Sequence, residues 1–246
     1  MALRARSVSM TIRSIALLAI IIPGCLFGAS KQDAPLAVYY SIDAPHSAAL
    51  LTEMQAELDR ILAPADIRVD WRPLSAPRDG TENFQSVVVF RFQGSCGFSQ
   101  DLTAAEMNTD VAAHSLARTD VIDGHVLPFA YVDCEKLRIF VAPALKALGH
   151  EAKEAGLGRA MARVSAHEIY HMLTGSEKHA SHGIARASHT RAELTAGAFL
   201  FAPADVNWLR AWAKPADQPE LAADRLPTST PVVESGTSES FDVAGR

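Results

Sequence analysis

The chain has 246 residues, of which 48% are hydrophobic and 21% are charged, and its formal net charge at pH 7 is −5. This composition is that of an ordinary globular protein with enough apolar residues for one domain with a real core. An acidic chain without a basic stripe argues against nucleic acid as a partner.

Residues 1–30 have the features of an export signal. Basic residues lie between Arg4 and Arg13, and a short apolar run follows from Ser14 to Ile22. That run is too short to span a bilayer comfortably, and the small residues Gly28 to Ser30 suit cleavage by a signal peptidase. We therefore expect an exported mature protein from Lys31 onward, either periplasmic or secreted.

Cys25 offers an alternative fate for the exported chain. It follows Ile22-Pro23-Gly24, which resembles a lipoprotein box, although proline before the glycine fits that pattern poorly. A lipid anchor at Cys25 is therefore an alternative to cleavage near Ser30, and it is the only attachment to a membrane that the sequence leads us to expect.

Five segments read as strands, because β-branched and aromatic residues are dense or alternate with polar ones. The third is the strongest and is expected to be central in the sheet, and the fourth is expected at an edge. The predicted strands are Leu36 to Ile42, Ile67 to Trp71, Ser86 to Phe92, Val111 to Arg118 and Val126 to Val132.

Helices are predicted where apolar residues recur at helical spacing. A break is expected from Gly149 to Gly156, and the tail 214–246 is expected to be disordered because it has little to bury. The predicted helices run from Pro45 to Pro64, Asp133 to Leu148, Gly158 to Leu173, Arg191 to Phe201 and Ala204 to Ala213. This order predicts an α+β domain over residues 31–213, with a mixed twisted sheet of four to five strands and helices on one face.

Two cysteines remain after removal of the export signal. Cys96 and Cys134 would form a disulfide in an oxidising compartment. Metal ligation is disfavoured because neither belongs to a Cys-x-x-Cys pair, and two separate buried thiols are the other alternative.

Residues 167–171 read His-Glu-Ile-Tyr-His. On a helix, His167 and His171 lie one turn apart and project from the same face, where two imidazoles can bind one Zn²⁺. Glu168 can then take a proton from a zinc-bound water. The short motif also arises by chance, so a pair of buried core histidines is the competing interpretation. Gly175 supplies a helix stop.

Zinc hydrolases need a third protein ligand and an open position on the metal. His179 is the favoured third ligand, because Gly175 lets the chain turn sharply and bring it back toward the metal. Glu193, on the next predicted helix, is the alternative third ligand, and His182 is the least favoured.

The stretch from His167 to His179 resembles the extended zinc motif of the metzincin metallopeptidases, in which two helical histidines precede a glycine turn and a third histidine. Here each interval around the glycine is one residue longer, and no methionine follows Met172 to form a methionine turn. The resemblance implies a metzincin-like (zincin) catalytic domain with Zn²⁺ on His167, His171 and His179. The scheme with Glu193 resembles the gluzincins instead.

The resemblance extends from about Leu36 to Arg186. It implies an edge strand near Ser115-Leu116-Ala117 that could hold a peptide in extended form. The stretches Leu127 to Cys134 and Leu157 to Arg186 are also similar to a family of uncharacterised exported bacterial proteins.

The sequence thus predicts an exported zinc-dependent metallohydrolase, most simply a peptidase that acts on a peptide or protein and uses a zinc-bound water activated by Glu168. The alternative is a non-catalytic, zinc-stabilised extracytoplasmic binding protein of the same fold. In that case His182 or Glu193 would close the fourth position on the metal.

Overall fold

A computed structural model gives the structure of the protein and describes residues 36–77, 84–98 and 116–214. The chain divides into two units, Met1–Gln32 and Asp33–Arg246, and every described residue belongs to the second. The predicted export signal with Cys25, and the predicted tail beyond Lys214, lie outside the described residues. Among the helices that are described, none is both long enough and apolar enough to cross a membrane.

A mixed sheet of five strands lies at the centre of the second unit. The strands are β1 (Leu36–Ile42), β2 (Val69–Pro73), β3 (Ser86–Gln93), β4 (Ala117–Ile122) and β5 (His125–Asp133). Their order in space is β2-β1-β3-β5-β4, with β4 antiparallel to β5 and the other neighbours parallel. The predicted α+β class, the mixed sheet and the central position of β3 are confirmed.

One face of the sheet carries the core. Because side chains alternate along a strand, residues two apart share a face, and the register aligns these sets across β1, β3 and β5. All of the following are fully buried on that face: Leu36, Val38, Val88, Phe90, Phe92, Ala130 and Val132. On the opposite face, Val87 and Phe129 are 40% and 44% exposed.

The helices are α1 (Ala48–Leu62), α2 (Cys134–Leu145), α3 (His150–Thr174), α4 (Arg191–Thr195) and α5 (Pro203–Ala213), with a 3₁₀ turn at Ala63–Ala65. Side chains cap several of them: Ser47 accepts from the Leu50 amide at the start of α1, and Asp133 accepts from the Lys136 amide at the start of α2. Helix α3 contacts α1 and α2 and also β3, β4 and β5, so it spans the core.

The predicted break from Gly149 to Gly156 is wrong, because α3 begins at His150 and continues through both Gly156 and Gly158. These glycines serve close helix packing instead. A Cβ at Gly158 would lie 2.2 Å from the Leu50 carbonyl oxygen of α1, and one at Gly156 would lie 2.6 Å from the Leu145 side chain of α2. Only glycine permits the approach to the Leu50 backbone, whereas at Gly156 the end of the Leu145 side chain would have to move.

Two other elements depart from their predicted ranges by more than three residues. The edge strand predicted at Val111 to Arg118 is strand β4, Ala117–Ile122, which reaches the turn at Asp123-Gly124; residues 111–115 lie outside the described residues. Both turn residues have positive φ, as a tight hairpin turn requires. Helix α4 ends at Thr195 rather than Phe201, because Ala196 is already extended.

Cys96 and Cys134 form the predicted disulfide, and both are fully buried. The bond joins the segment after β3 to the first residue of α2. In the chain-entropy model a loop of this length contributes about 3–4 kcal/mol to the free energy of unfolding.

The close approach of Gly158 to Leu50 predicts that a larger residue at position 158 destabilises the protein. Gly158→Ala should lower the free energy of unfolding by about 2 kcal/mol, because its Cβ would overlap the Leu50 carbonyl and force the helices apart. Gly197→Ala is the matched control, since a Cβ there meets nothing within 4 Å. Urea unfolding of the two variants checks the prediction, and equal stabilities would contradict it.

Candidate metal centre

Helix α3 presents two histidines to the same point. His167 and His171 are one turn apart, their ring centroids lie 4.7 Å apart, and their Nε2 atoms lie 3.0 Å apart. The turns that precede them are buried, with Leu157, Ala160 and Met161 fully so. The helix is therefore fixed by its packing, and the two imidazoles are held on a rigid support.

Backbone carbonyls hold the outer nitrogen of each imidazole. His167 Nδ1 lies 2.8 Å from the Ile184 carbonyl oxygen, and His171 Nδ1 lies 2.7 Å from the Ser176 carbonyl oxygen. Because a carbonyl oxygen can only accept, each Nδ1 must carry the proton and donate it. Both Nε2 atoms consequently keep a lone pair, the form of histidine that ligates a metal.

Two unprotonated Nε2 atoms 3.0 Å apart repel each other unless a cation lies between them. Burial lowers the pKa of both rings, that of His167 to about 3, so neither supplies a proton for the gap at neutral pH. A tetrahedral zinc ion bound at 2.0–2.1 Å sets nitrogen–nitrogen distances of about 3.3 Å. The pair therefore has the chemistry and spacing of two zinc ligands.

His179 joins this pair, as predicted from Gly175. Helix α3 stops at Gly175, which has a φ of +59° and donates its amide to the His171 carbonyl. The chain then reverses and stacks the His179 ring on His167, with centroids 5.2 Å apart. One ligand atom from each of the three histidines lies within 4.8 Å of the other two. The His179 side chain is exposed, unlike that of His171.

Glu168 lies beside the histidines but in a different environment. Its side chain is buried, and the Thr119 hydroxyl of β4 donates to its Oε2 at 2.5 Å. Burial raises the pKa of Glu168 to about 7, and the Thr119 hydrogen bond opposes that rise. A bound dication nearby would lower this pKa again. The carboxyl group is thus positioned by the neighbouring edge strand, and beside a bound cation it would be ionised and able to accept a proton.

A cavity of about 340 Å³ opens onto these groups. Edge strand β4 forms one wall, α3 forms the floor, and the chain after Gly175 forms the other wall. The size is that of a site for a small ligand or for a few residues of a peptide. Its lining is Leu116, Ala117, Arg118, Thr119, Val121, Val126, Val164, His167, Glu168, His171, Glu177, His179, Ala187 and His189.

The other two candidate ligands lie elsewhere. Glu193 forms a capping box at the start of α4: its Oε2 accepts from the Thr190 amide and hydroxyl and also pairs with Arg186 at 2.6 Å. His182 is exposed and hydrogen-bonds Ser181. Neither belongs to the group of ligand atoms formed by the three histidines or lines the cavity.

Sequence reasoning missed two residues of this site. Thr119 was not singled out, because a threonine on an edge strand has no distinguishing pattern. His189 belongs to no recognisable motif, yet it lines the cavity with its ring centroid 5.5 Å from that of His167. The only available signal was the local density of histidines between His179 and His189.

A buried arginine fastens the elements around the site. Arg163 lies one turn before His167 and is fully buried, with its Nε 2.6 Å from Glu57 Oε1 of α1. Its guanidinium also donates to the carbonyls of Glu193, Ala196 and Gly197. Burial lowers the pKa of Arg163, and the Glu57 carboxylate opposes that change. The ion pair thus joins α1, α3 and α4.

Comparisons with family models, curated proteins and solved structures found no match for this chain.

The geometry predicts which histidines are needed for metal. The purified protein should contain about one zinc per chain after incubation with Zn²⁺ and dialysis, and His171→Ala or His179→Ala should each reduce it to near zero. His182→Ala, an exposed histidine outside the group, is the matched control and should keep its zinc. Elemental mass spectrometry measures all four proteins.

Loss of zinc in His171→Ala but not in His179→Ala would contradict the three-histidine site and move the third ligand to Glu193 or His182. A parent protein without zinc would contradict the metal site altogether.

Proposed function

We propose that this protein is a zinc-dependent hydrolase, with peptides or proteins as its substrate class and a metzincin-like catalytic domain. The observation that carries the proposal is the pair of unprotonated Nε2 atoms of His167 and His171, 3.0 Å apart, with His179 and the buried Glu168 beside them. His167, His171 and His179 would hold Zn²⁺. When bound, this ion supplies a Lewis acid that activates water and polarises a carbonyl group.

Glu168 has the role of general base in this proposal. One carboxylate oxygen is held by the Thr119 hydroxyl, which leaves the other to accept a proton from the attacking water. The same carboxyl group can then donate that proton to the departing amide nitrogen. Holding the base by a residue of β4 couples its position to the strand that forms the cavity wall, so that base and substrate would be aligned by one element.

The position of β4 supports a peptide as substrate. Among the described strands it is the last of the sheet and pairs with β5 on one side. Residues 116–119 of this edge line the cavity directly beside Glu168. An exposed strand edge can bind an extended peptide through main-chain hydrogen bonds. The Arg118 side chain lies over the Tyr131 ring at 4.3 Å, on the face of β4 opposite Thr119.

The placement of Glu193 and His182 favours catalysis over a purely structural metal. A closed site would need a fourth protein ligand, and these were the two candidates. Glu193 is committed to the capping box and to Arg186, and His182 is bonded to Ser181. Export of the protein, with a lipid anchor at Cys25 as the alternative, remains a prediction from the sequence.

Glu168→Gln tests the catalytic role. The amide keeps the shape of the side chain but cannot accept the proton, so hydrolysis of a cleavable peptide from a library should fall by a factor of about 10²–10⁴. Zinc content should be unchanged. Glu151→Gln, on the exposed first turn of the same helix, is the matched control and should retain full activity.

A Glu168→Gln variant that keeps zinc and hydrolyses peptides at the parent rate would contradict the proposed role. If the parent protein binds zinc but cleaves no peptide in the library, the non-catalytic zinc-stabilised binding protein becomes the better account.

A further inference from the structure

Ile184 offers one carbonyl oxygen to two imidazoles. His167 Nδ1 lies 2.8 Å from this oxygen, and His189 Nε2 lies 3.0 Å from it. A carbonyl oxygen has two lone pairs, so it can accept from both at once. His189 must therefore carry its proton on Nε2, just as His167 carries its proton on Nδ1.

The shared carbonyl belongs to a well-fixed piece of chain. Ile184 is fully buried and its amide donates to the Leu200 carbonyl oxygen at 3.2 Å. Gly183 before it has a φ of +68°, and a Cβ there would lie 2.7 Å from the same Leu200 oxygen. The backbone at Gly183 and Ile184 is thus held against the chain at residue 200, next to the peptide unit that carries the shared carbonyl.

His189 is held equally firmly on its other sides. Its ring meets the Phe199 ring edge to face, with centroids 5.3 Å apart. The next residue, Thr190, is the N-cap of α4, where the capping box with Glu193 fixes the backbone. The imidazole therefore reaches the Ile184 oxygen from a preorganised position.

We propose that His189 is a positioning residue for the metal centre: it clamps the Ile184 carbonyl that orients the His167 imidazole. This inference rests on the proposed function, in that His167 is taken as a metal ligand. Groups that orient a ligating histidine typically change metal affinity by 10–100-fold when they are removed. His189 acts through His167, since its nitrogens lie outside the group of mutually close ligand atoms.

Zinc affinity, measured by competition with a chelator, tests the role without relying on catalysis. His189→Phe keeps a ring against Phe199 but loses the N–H, and it should weaken zinc binding by 10–100-fold. His189→Gln keeps an N–H that can reach the carbonyl, and it should recover most of that loss. His182→Phe is the matched control and should bind zinc as the parent does. Thermal unfolding of the metal-free variants reports any general loss of stability.

A structural role alone would weaken the Phe and Gln variants equally, in step with their thermal stability, and that result would overturn the proposal. Parent-like affinity in His189→Phe would overturn it as well. A cobalt(II) spectrum that indicates four nitrogen ligands in the parent and three in His189→Phe would also overturn the proposal, because His189 would then be a ligand itself.

The metal-free protein separates this inference from the proposed function. Long-range ¹H–¹⁵N spectra should show His167 protonated on Nδ1 in the parent, and this tautomer should lose its dominance in His189→Phe but not in His189→Gln. A parent that binds no zinc yet shows this pattern would refute the metal site while keeping the clamp. Unchanged tautomers in a zinc-binding parent would refute the clamp alone.

Discussion

The guanidinium of Arg163 is fully buried, and a charge in that position is tolerated only with its partners in place. Those partners are the Glu57 carboxylate on α1 and three carbonyls between Glu193 and Gly197. Loss of any of them would leave a buried donor without an acceptor. Helices α1, α3 and α4 must therefore keep one arrangement. The chain between α3 and α4, which carries His179 and His189, is consequently held in place at both of its ends.

The arrangement of the three histidines follows from these fixed helices. With the chain ends fixed, the carbonyls of Ser176 and Ile184 face the outer nitrogens of His171 and His167. These two hydrogen bonds settle where the protons lie, and so direct both Nε2 lone pairs inward. Burial then keeps both rings neutral, because a low dielectric penalises the imidazolium form. The local backbone thus holds both imidazoles in the tautomer that a metal would require.

Much of this could be predicted from local sequence patterns. The period of apolar residues predicted the helix that carries His167 and His171, Gly175 predicted its end, and β-rich runs predicted the central strand β3. The pairing of Cys96 with Cys134 was predicted because two cysteines remain after the export signal and an oxidising compartment was expected. Each of these features depends on residues that are neighbours along the chain or on the number of cysteines, and can therefore be predicted from a single sequence.

What the sequence did not reveal depends on contacts between distant segments. The helix was predicted to begin only at Gly158, after a break that ended at Gly156, because the packing of these glycines against Leu50 and Leu145 is invisible without the neighbouring helices. Thr119 reaches Glu168 across 49 residues of chain. The Ile184 backbone, whose carbonyl accepts from His189, is in turn held by the Leu200 carbonyl from further along the chain. Rules based on the spacing of residues along the sequence do not predict such contacts.

The most direct test of the central claim is X-ray absorption at the zinc K-edge on the zinc-loaded protein. Three imidazole nitrogens from His167, His171 and His179, with one further light atom, should appear at about 2.0–2.1 Å, with the multiple scattering typical of histidine rings. A first shell with only two imidazoles, or a protein that retains no zinc for the measurement, would contradict the three-histidine centre.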